Sequence, residues 1–300
     1  MSKLLVIGTV AYDDVETPYD KRENLLGGSA THFAYSARQF GDVHLVAVVG
    51  TDFPKATLDT FQADGIDTEG VEVVDGKTFR WAGRYEADWN TRHTLDTQLN
   101  VFADFDPKVP AGYQQADYVF LANAEPAIQL KGLKQVKNPK LVVADTMNLW
   151  IDIKRDDLLE LLRHVDGLVL NDEEARMLTG ESNLFRSARK VLELGPKFVL
   201  LKKGEHGAFL MGEDVHFALP AYPVENVVDP TGAGDSFAGG FMGYIASVDH
   251  PEPRSMRRAM LYGTVTASFC VEDFTTDGIA KRGRAEVEAR FNDLADIVSL

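Results

Sequence analysis

The chain has one cysteine, Cys270, among 300 residues, so it can form no internal disulfide and no thiolate metal cluster. Its neighbours Ala267, Ser268, Phe269 and Val271 suit a helix packed inside the fold, which makes the thiol a buried, inert one. Positive charge is scarce too: 31 Lys and Arg stand against 46 Asp and Glu, a formal charge of -15. A protein that grips nucleic-acid phosphates or an anionic membrane needs a positive surface, and this balance argues against both. Small phosphorylated ligands are still compatible, because they meet only a local site. Long hydrophobic runs are absent as well. The run Leu4–Ile7 is stopped by Gly8, too short for a signal-peptide core or a membrane span, so a cytoplasmic protein is expected. The seven histidines show no H-x-x-x-H clustering, which removes the usual zinc signature.

What is present is an ordinary globular composition, 45% hydrophobic and 26% charged, with short apolar runs alternating with amphipathic stretches. The runs Leu4–Gly8, Leu45–Gly50, Tyr118–Ala122, Leu141–Asp145, Gly167–Asn171 and Phe198–Lys202 read as strands buried on both faces of a parallel sheet. Helices are expected at Ser29–Gln39, Lys55–Ala63, Ala127–Val136, Asp157–His164, Glu173–Leu178 and Arg186–Leu194. This repetition predicts one doubly wound α/β domain over residues 1–300. Val71 to Phe105 breaks the pattern, with β-type segments and no helix between them. A pair of strands is marginal alone, so the segment is either a surface hairpin or a lid.

The strongest chemical signal is Asp229-Pro230-Thr231-Gly232-Ala233-Gly234-Asp235, a small flexible turn that opens into a helical stretch. Successive N–H groups at a helix start, clear of side chains, make an anion site. Asp235 beside such a site would repel the anion if its role were only structural. It either caps the helix or serves as general base for a hydroxyl attacking phosphorus. Gly239, Gly240 and Gly243 weaken the helix, which implies close packing of it on the sheet.

At these residues the chain resembles the ribokinase (PfkB) family of ATP-dependent sugar and nucleoside kinases. Val228–Phe241 is similar to the family's C-terminal signature, and Gly27-Gly28-Ser29-Ala30-Thr31-His32-Phe33-Ala34 to its N-terminal Gly-Gly signature. Asn171-Asp172-Glu173-Glu174 resembles the Asn-x-x-Glu motif, and Lys203-Gly204-Glu205-His206-Gly207 the turn that borders the nucleotide. The resemblance implies a ribokinase-like, mostly parallel sheet flanked by helices, with a small β lid formed by 71–105 and a contribution from 14–26. It implies Asp235 as catalytic base, with the N–H groups of Gly232, Ala233 and Gly234 stabilising the transferring phosphoryl group and Thr231 binding the nucleotide. Asn171 and Glu174 would organise Mg2+ and ATP, Glu174 through water. Lys203, Gly204 and Gly207 would border the adenosine. Asp13 would hold sugar hydroxyls, with Gly27 and Gly28 letting the substrate approach the backbone. Edge-to-edge pairing of lids would make a homodimer. A requirement for a monovalent cation such as K+ is left open.

His32 stands where the signature usually has a sugar-contacting asparagine, so it either binds substrate or fills space. Asp145–Trp150 ends a strand and either faces the phosphate cleft or caps a helix. Trp81, Trp89 and Phe102 could stack on a nucleobase or form a dimer seam. Gly70–Thr78 mimics a P-loop but has five residues between its glycines where four are needed. The aromatic lid and the Gly-Gly-Ser-Ala-Thr stretch favour a nucleoside with its 5′-hydroxyl as acceptor. A free pentose or hexose, or a sensor that binds without catalysis, are the alternatives.

Overall fold

The computed structural model describes residues 3–299. In chain order the strands begin with β1 (Leu4–Ile7), β2 (Ala11–Glu16), β3 (Lys21–Gly27), β4 (Val43–Gly50) and β5 (Ile66–Val74). They continue with β6 (Phe79–Tyr85), β7 (Arg92–Gln98), β8 (Tyr118–Leu121) and β9 (Leu141–Asp145). The last are β10 (Gly167–Asn171), β11 (Phe198–Lys202), β12 (Ala208–Gly212) and β13 (His216–Leu219). Nine of them form one sheet in the order β13-β12-β11-β10-β9-β8-β1-β4-β5. The pairs from β5 across to β11 are parallel, and the β12–β13 hairpin adds an antiparallel edge.

The parallel strands read as continuous apolar runs because both faces are covered. In β1, Leu4 and Val6 enter one core and Leu5 and Ile7 the other. Phe198 and Leu200 of β11 likewise face the first core, Val199 and Leu201 the second. The first core is closed by the helices Ser29–Ala37 and Ala233–Val248, with Phe33 stacked on Phe120 of β8 at 4.3 Å.

The glycine-rich helix Ala233–Val248 packs closely, but on helices rather than on the sheet as its composition had implied. A β-carbon at Gly239 would overlap the Phe33 carbonyl, and one at Gly243 would lie 2.9 Å from that of Ala37. Gly240 faces the helix Pro253–Cys270, 2.7 Å from the Tyr262 carbonyl on the same measure. Cys270, at the end of that helix, is fully buried.

A second sheet, in the order β3-β2-β6-β7, rises from the carboxyl ends of β1 and β5. Its strands come from 11–27 and 79–98, so residues 71–74 belong to the edge strand of the main sheet instead. The two segments are joined by the parallel pairing of β2 with β6. At the hinge, Asp52 accepts hydrogen bonds from the backbone and hydroxyl of Thr78, and Thr78 in turn accepts one from the Gly50 N–H.

The stacked pair makes a stability prediction. Phe120→Ala empties a fully buried ring site, and the expected loss is about 3–5 kcal/mol of unfolding free energy in urea titrations. A loss below about 1 kcal/mol would show that the ring does not anchor the helix Ser29–Ala37.

Candidate active site

Strand parity builds the floor of the site. Leu141 and Val143 of β9, Val169 of β10, and Phe198 and Leu200 of β11 all face the first core. Continued by one step of two residues, the same faces end in Asp145, Asn171 and Lys202. These three polar residues therefore stand at the carboxyl ends of neighbouring parallel strands, on the side of the helix Ala233–Val248, where α/β sheets bind ligands. Asn171 and Lys202 are register partners.

The turn before that helix is held from behind. Asp229 is fully buried and accepts hydrogen bonds from the N–H groups of Thr231 (2.8 Å) and Thr275 (2.9 Å). Gly232 adopts φ 74°, and a β-carbon there would overlap the His32 ring, so the position demands glycine twice over. The first i→i-4 bond of the helix runs from Ser236 to Gly232 at 2.8 Å, so the Gly234 and Asp235 N–H groups precede it. The Ala233 N–H differs from expectation, since it donates to the Pro230 carbonyl at 3.2 Å within the turn. Burial, and then the neighbouring Asp145, raises the Asp235 carboxyl well above the usual range, against the pull of the Lys202 ammonium.

Across from this turn lies a cleft of about 570 Å³ lined by Asp13, Gly28, His32, Thr231, Gly232 and Asp235. The alternating burial of β2 turns Asp13 inward, while Asp14 accepts a hydrogen bond from the Asn24 N–H outside. Burial, with Asp229 nearby, pushes Asp13 up to about 7. Gly27 does not line the cleft; its open side is filled by the Asp13 carboxylate itself. His32 is buried, and desolvation lowers it to about 4, so the ring is neutral. Its Nδ1 lies 3.8 Å from the Cys270 thiol, and its Nε2 has no hydrogen-bond partner among the described residues. From the second sheet come Trp81, Tyr85 and Arg92, and Tyr85 accepts a hydrogen bond from the Thr231 hydroxyl. The lid aromatics divide: Trp81 and Phe102 line the cleft, whereas Trp89 packs against Tyr19.

On the other flank, Asn171 and Glu174 form a reciprocal capping box, each side chain accepting from the other's backbone N–H at 2.8 and 2.7 Å. Glu174 is buried, which pushes it up to about 7 against the opposing Lys202 charge. Lys202 itself pairs with Asp145 at 3.7 Å. Burial disfavours its ammonium, but Asp145, Glu174 and Asp235 outweigh that and raise it. Lys203, Gly204 and Gly207 fall outside the cleft, in the tight β11–β12 turn where the Lys203 N–H donates to the Gly207 carbonyl. The loop between β6 and β7 reaches this turn, since a β-carbon at Gly204 would lie 2.5 Å from the Asn90 side chain.

Sequence reasoning named Lys203 and missed Lys202. Parity along Phe198–Leu200–Lys202 was the signal that could have found it. Arg92 carried no local signal, because only the pairing of β6 with β7 brings it over the cleft.

A glycine-rich helix start with a half-buried carboxylate in its first turn, facing a second carboxylate across a cleft, fits a phosphotransferase-type α/β site. Residues 1–280 match the pfkB family of carbohydrate kinases. The chain belongs to that family, and it is a kinase of the sugar and nucleoside class with the ribokinase fold. It is 34% identical over 247 residues to a cytidine kinase of Thermococcus kodakarensis, covering 81% of this chain and 88% of that protein. Among solved structures, the Burkholderia thailandensis nucleoside kinase in complex with inosine superimposes with a TM-score of 0.76 at 20% identity, covering 97% and 98% of the two chains. An E. coli ribokinase II-type protein in complex with ATP and Mg2+ gives 0.79 at 21% identity, covering 98% and 100%.

His32 yields a pH prediction. Its folded value of about 4 lies below the ordinary 6.5, so the unfolded chain binds its proton first as pH falls. This group is neutral in both states above 6.5, and between 6.5 and 4 it removes about 3 kcal/mol of stability. Asp13, raised to about 7, works in the opposite sense, losing stability as pH rises from about 4 to 7. His32→Gln deletes only the first effect. The stability of the native protein relative to this variant should fall by about 3 kcal/mol between pH 7 and pH 4 in urea titrations. An unchanged difference would mean that His32 titrates alike in both states.

Proposed function

We propose that this chain transfers the γ-phosphate of ATP to the ribose 5′-hydroxyl of a nucleoside. The observation that carries the reading is the single cleft that holds Asp13 on one side and Asp235, at the start of an anion-binding helix, on the other. The cytidine kinase relative and the inosine complex support a nucleoside as acceptor. Asp13, buried and inward-facing, accepts hydrogen bonds from sugar hydroxyls, and His32 offers its unpartnered Nε2 from below. Trp81 and Phe102 supply flat apolar surface for the base.

Asp235 takes the proton of the attacking hydroxyl, and the N–H groups from Gly232 to Gly234 receive charge that develops on the phosphoryl oxygens. The Ala233 N–H is available only if its turn bond to Pro230 yields. Burial that raises the Asp235 carboxyl improves it as a base, provided that the positive charge beside it keeps it ionised. Asn171, Glu174 and Thr231 border the donor, and Gly204 and Gly207 shape the far end under the lid loop.

The residues present fit magnesium arriving with the triphosphate. Asp145 Oδ1 is buried without a hydrogen-bond partner, and Glu174 stands beside it. No set of three His, Cys, Asp or Glu among the described residues could hold the ion directly, which suits contact through water. Magnesium supplies neutralisation of phosphate charge.

Residues 1–300 act as one domain, with the second sheet closing as a lid to keep water from the phosphoryl group. A cytoplasmic location goes with this reading, and no described helix is long and apolar enough to cross a membrane. The lid also supports a homodimer: β7 is an exposed edge strand, with Leu95 half exposed. Leu95→Lys should convert a dimer to a monomer in light scattering after gel filtration. A native protein that is already monomeric at micromolar concentration would remove the dimer.

The function is tested by ADP release against a panel of nucleosides and free sugars. Nucleosides should be the best acceptors. Asp235→Asn should lower kcat by about 10³-fold or more while calorimetry still detects ATP binding. Asp13→Ala should act mainly on the acceptor KM. Unchanged turnover in Asp235→Asn would overturn the mechanism, and preference for a free sugar would overturn the substrate.

A further inference from the structure

We propose that Lys202 is a catalytic residue that bonds a phosphoryl oxygen of the group in transfer. This rests on the phosphotransfer reading above. Lys202 ends β11 on the face that looks at the helix Ala233–Val248, and a β-carbon at Gly234 would sit 2.6 Å from its Nζ. The ammonium is thus packed against the backbone whose N–H groups would receive the phosphoryl charge. Neither Lys202 nor Gly234 is among the residues that line the acceptor cleft, so the ammonium stands outside that wall.

Its present partner leaves donors unspent. The pair with Asp145 spans 3.7 Å, longer than an N–H···O hydrogen bond, and an ammonium has three protons to give. The Lys202 side chain is 18% exposed, so it is buried for a lysine yet open on one side. Asp145, Glu174 and Asp235 surround it, and Arg92, which comes from the lid, is a second cation acting on the cluster. A triphosphate entering this acidic floor would be repelled by three carboxylates. A cation already in place offsets that repulsion at the moment the donor arrives, at no cost of reorganisation.

In the transfer, the acceptor oxygen forms its bond to phosphorus as the bond from phosphorus to the bridging oxygen of ADP breaks. The hydroxyl proton goes to Asp235, and the electron pair leaves with ADP. Lys202 gives up no proton; the N–H groups it does not spend on Asp145 donate to the equatorial oxygens, where the charge is spread. Glu174 and Asp145 remain to meet the hydrated metal.

The test compares the native enzyme with Lys202→Met and Lys202→Arg by steady-state kinetics and calorimetry. The probe is ADP with aluminium fluoride, a flat mimic of the group in transfer, and AMP is the control. Lys202→Met should lower kcat by about 10²–10³-fold and weaken the fluoroaluminate complex by a similar factor. AMP affinity and the acceptor KM should stay within about threefold, and Lys202→Arg should recover at least tenfold of the loss. A kcat within threefold of native overturns the proposal. So does a large fall in kcat with unchanged fluoroaluminate affinity, because Lys202 would then act only by offsetting the carboxylates.

If Lys202→Met does not fold, Asp145→Asn is compared with Asp145→Asn/Lys202→Met, whose floor charge equals the native one. Adding the lysine change should weaken the fluoroaluminate complex at least tenfold, and no further weakening overturns the proposal. Failure of the nucleoside reading is seen separately, as absence of nucleoside phosphorylation by the native enzyme. The fluoroaluminate titration still reads Lys202 in that event.

Discussion

Three carboxylates, the buried Asp145 and Glu174 and the half-buried Asp235, stand within electrostatic reach of one ammonium, and the architecture of the site follows from keeping that arrangement tolerable. A buried carboxylate without a partner costs several kcal/mol, and it responds by holding its proton. All three are accordingly pushed up, and in each case Lys202 opposes the push. Such a floor is a poor contribution to stability taken alone. It is intelligible as a place prepared for a ligand that brings magnesium and takes up the unspent bonds. The overall charge of -15 is no obstacle to the proposed reading, in which backbone N–H groups, one lysine and a metal would meet the phosphates locally.

Rigid support of the turn is the second requirement. Asp229 clamps the backbone at Thr231 and Thr275, so the loop after the helix Pro253–Cys270 is tied to the helix that follows Gly232. His32 stands directly under Gly232, and Tyr85 reaches Thr231 from the lid. The turn is therefore fixed from three elements far apart in the chain. Glycines at 239, 240 and 243 let that helix approach two other helices at backbone distance. They sacrifice helix propensity for a close fit that holds the N-terminus in position.

Much of this was legible beforehand. Lys55–Ala63 is a helix with the bounds its pattern predicted, and the apolar runs at β8 to β11 are strands because each is buried on both faces. The Asp229–Asp235 stretch read as a turn opening into a helix, and it is one, with Gly232 at φ 74° before the helix Ala233–Val248. Other features were hidden for physical reasons. Val71–Val74 alternates like a lid hairpin but serves as the outer edge of the main sheet, where one side meets solvent. Residues 11–27 were expected only to contribute 14–26 to the lid; they form the hairpin β2–β3, which joins the lid through the pairing of β2 with β6, a contact that local pattern does not show. Gly27 seemed to make room for a ligand, yet the space is taken by Asp13 across the β2–β3 ladder.

Local chemistry along the chain determined the alternation of strand and helix, the acidic balance, the glycine turn and the presence of a carboxylate in the first helical turn. These depend on propensity, period and spacing, which are properties of neighbouring residues. Only the tertiary structure decided that Asp13 and Asp235 share one cleft, that Arg92 hangs over it, and that Lys202 rather than Lys203 enters the floor. Those outcomes depend on sheet register, where a shift of one residue turns a side chain to the opposite face, and on contacts between segments far apart in the chain, as His32 and Cys270 are.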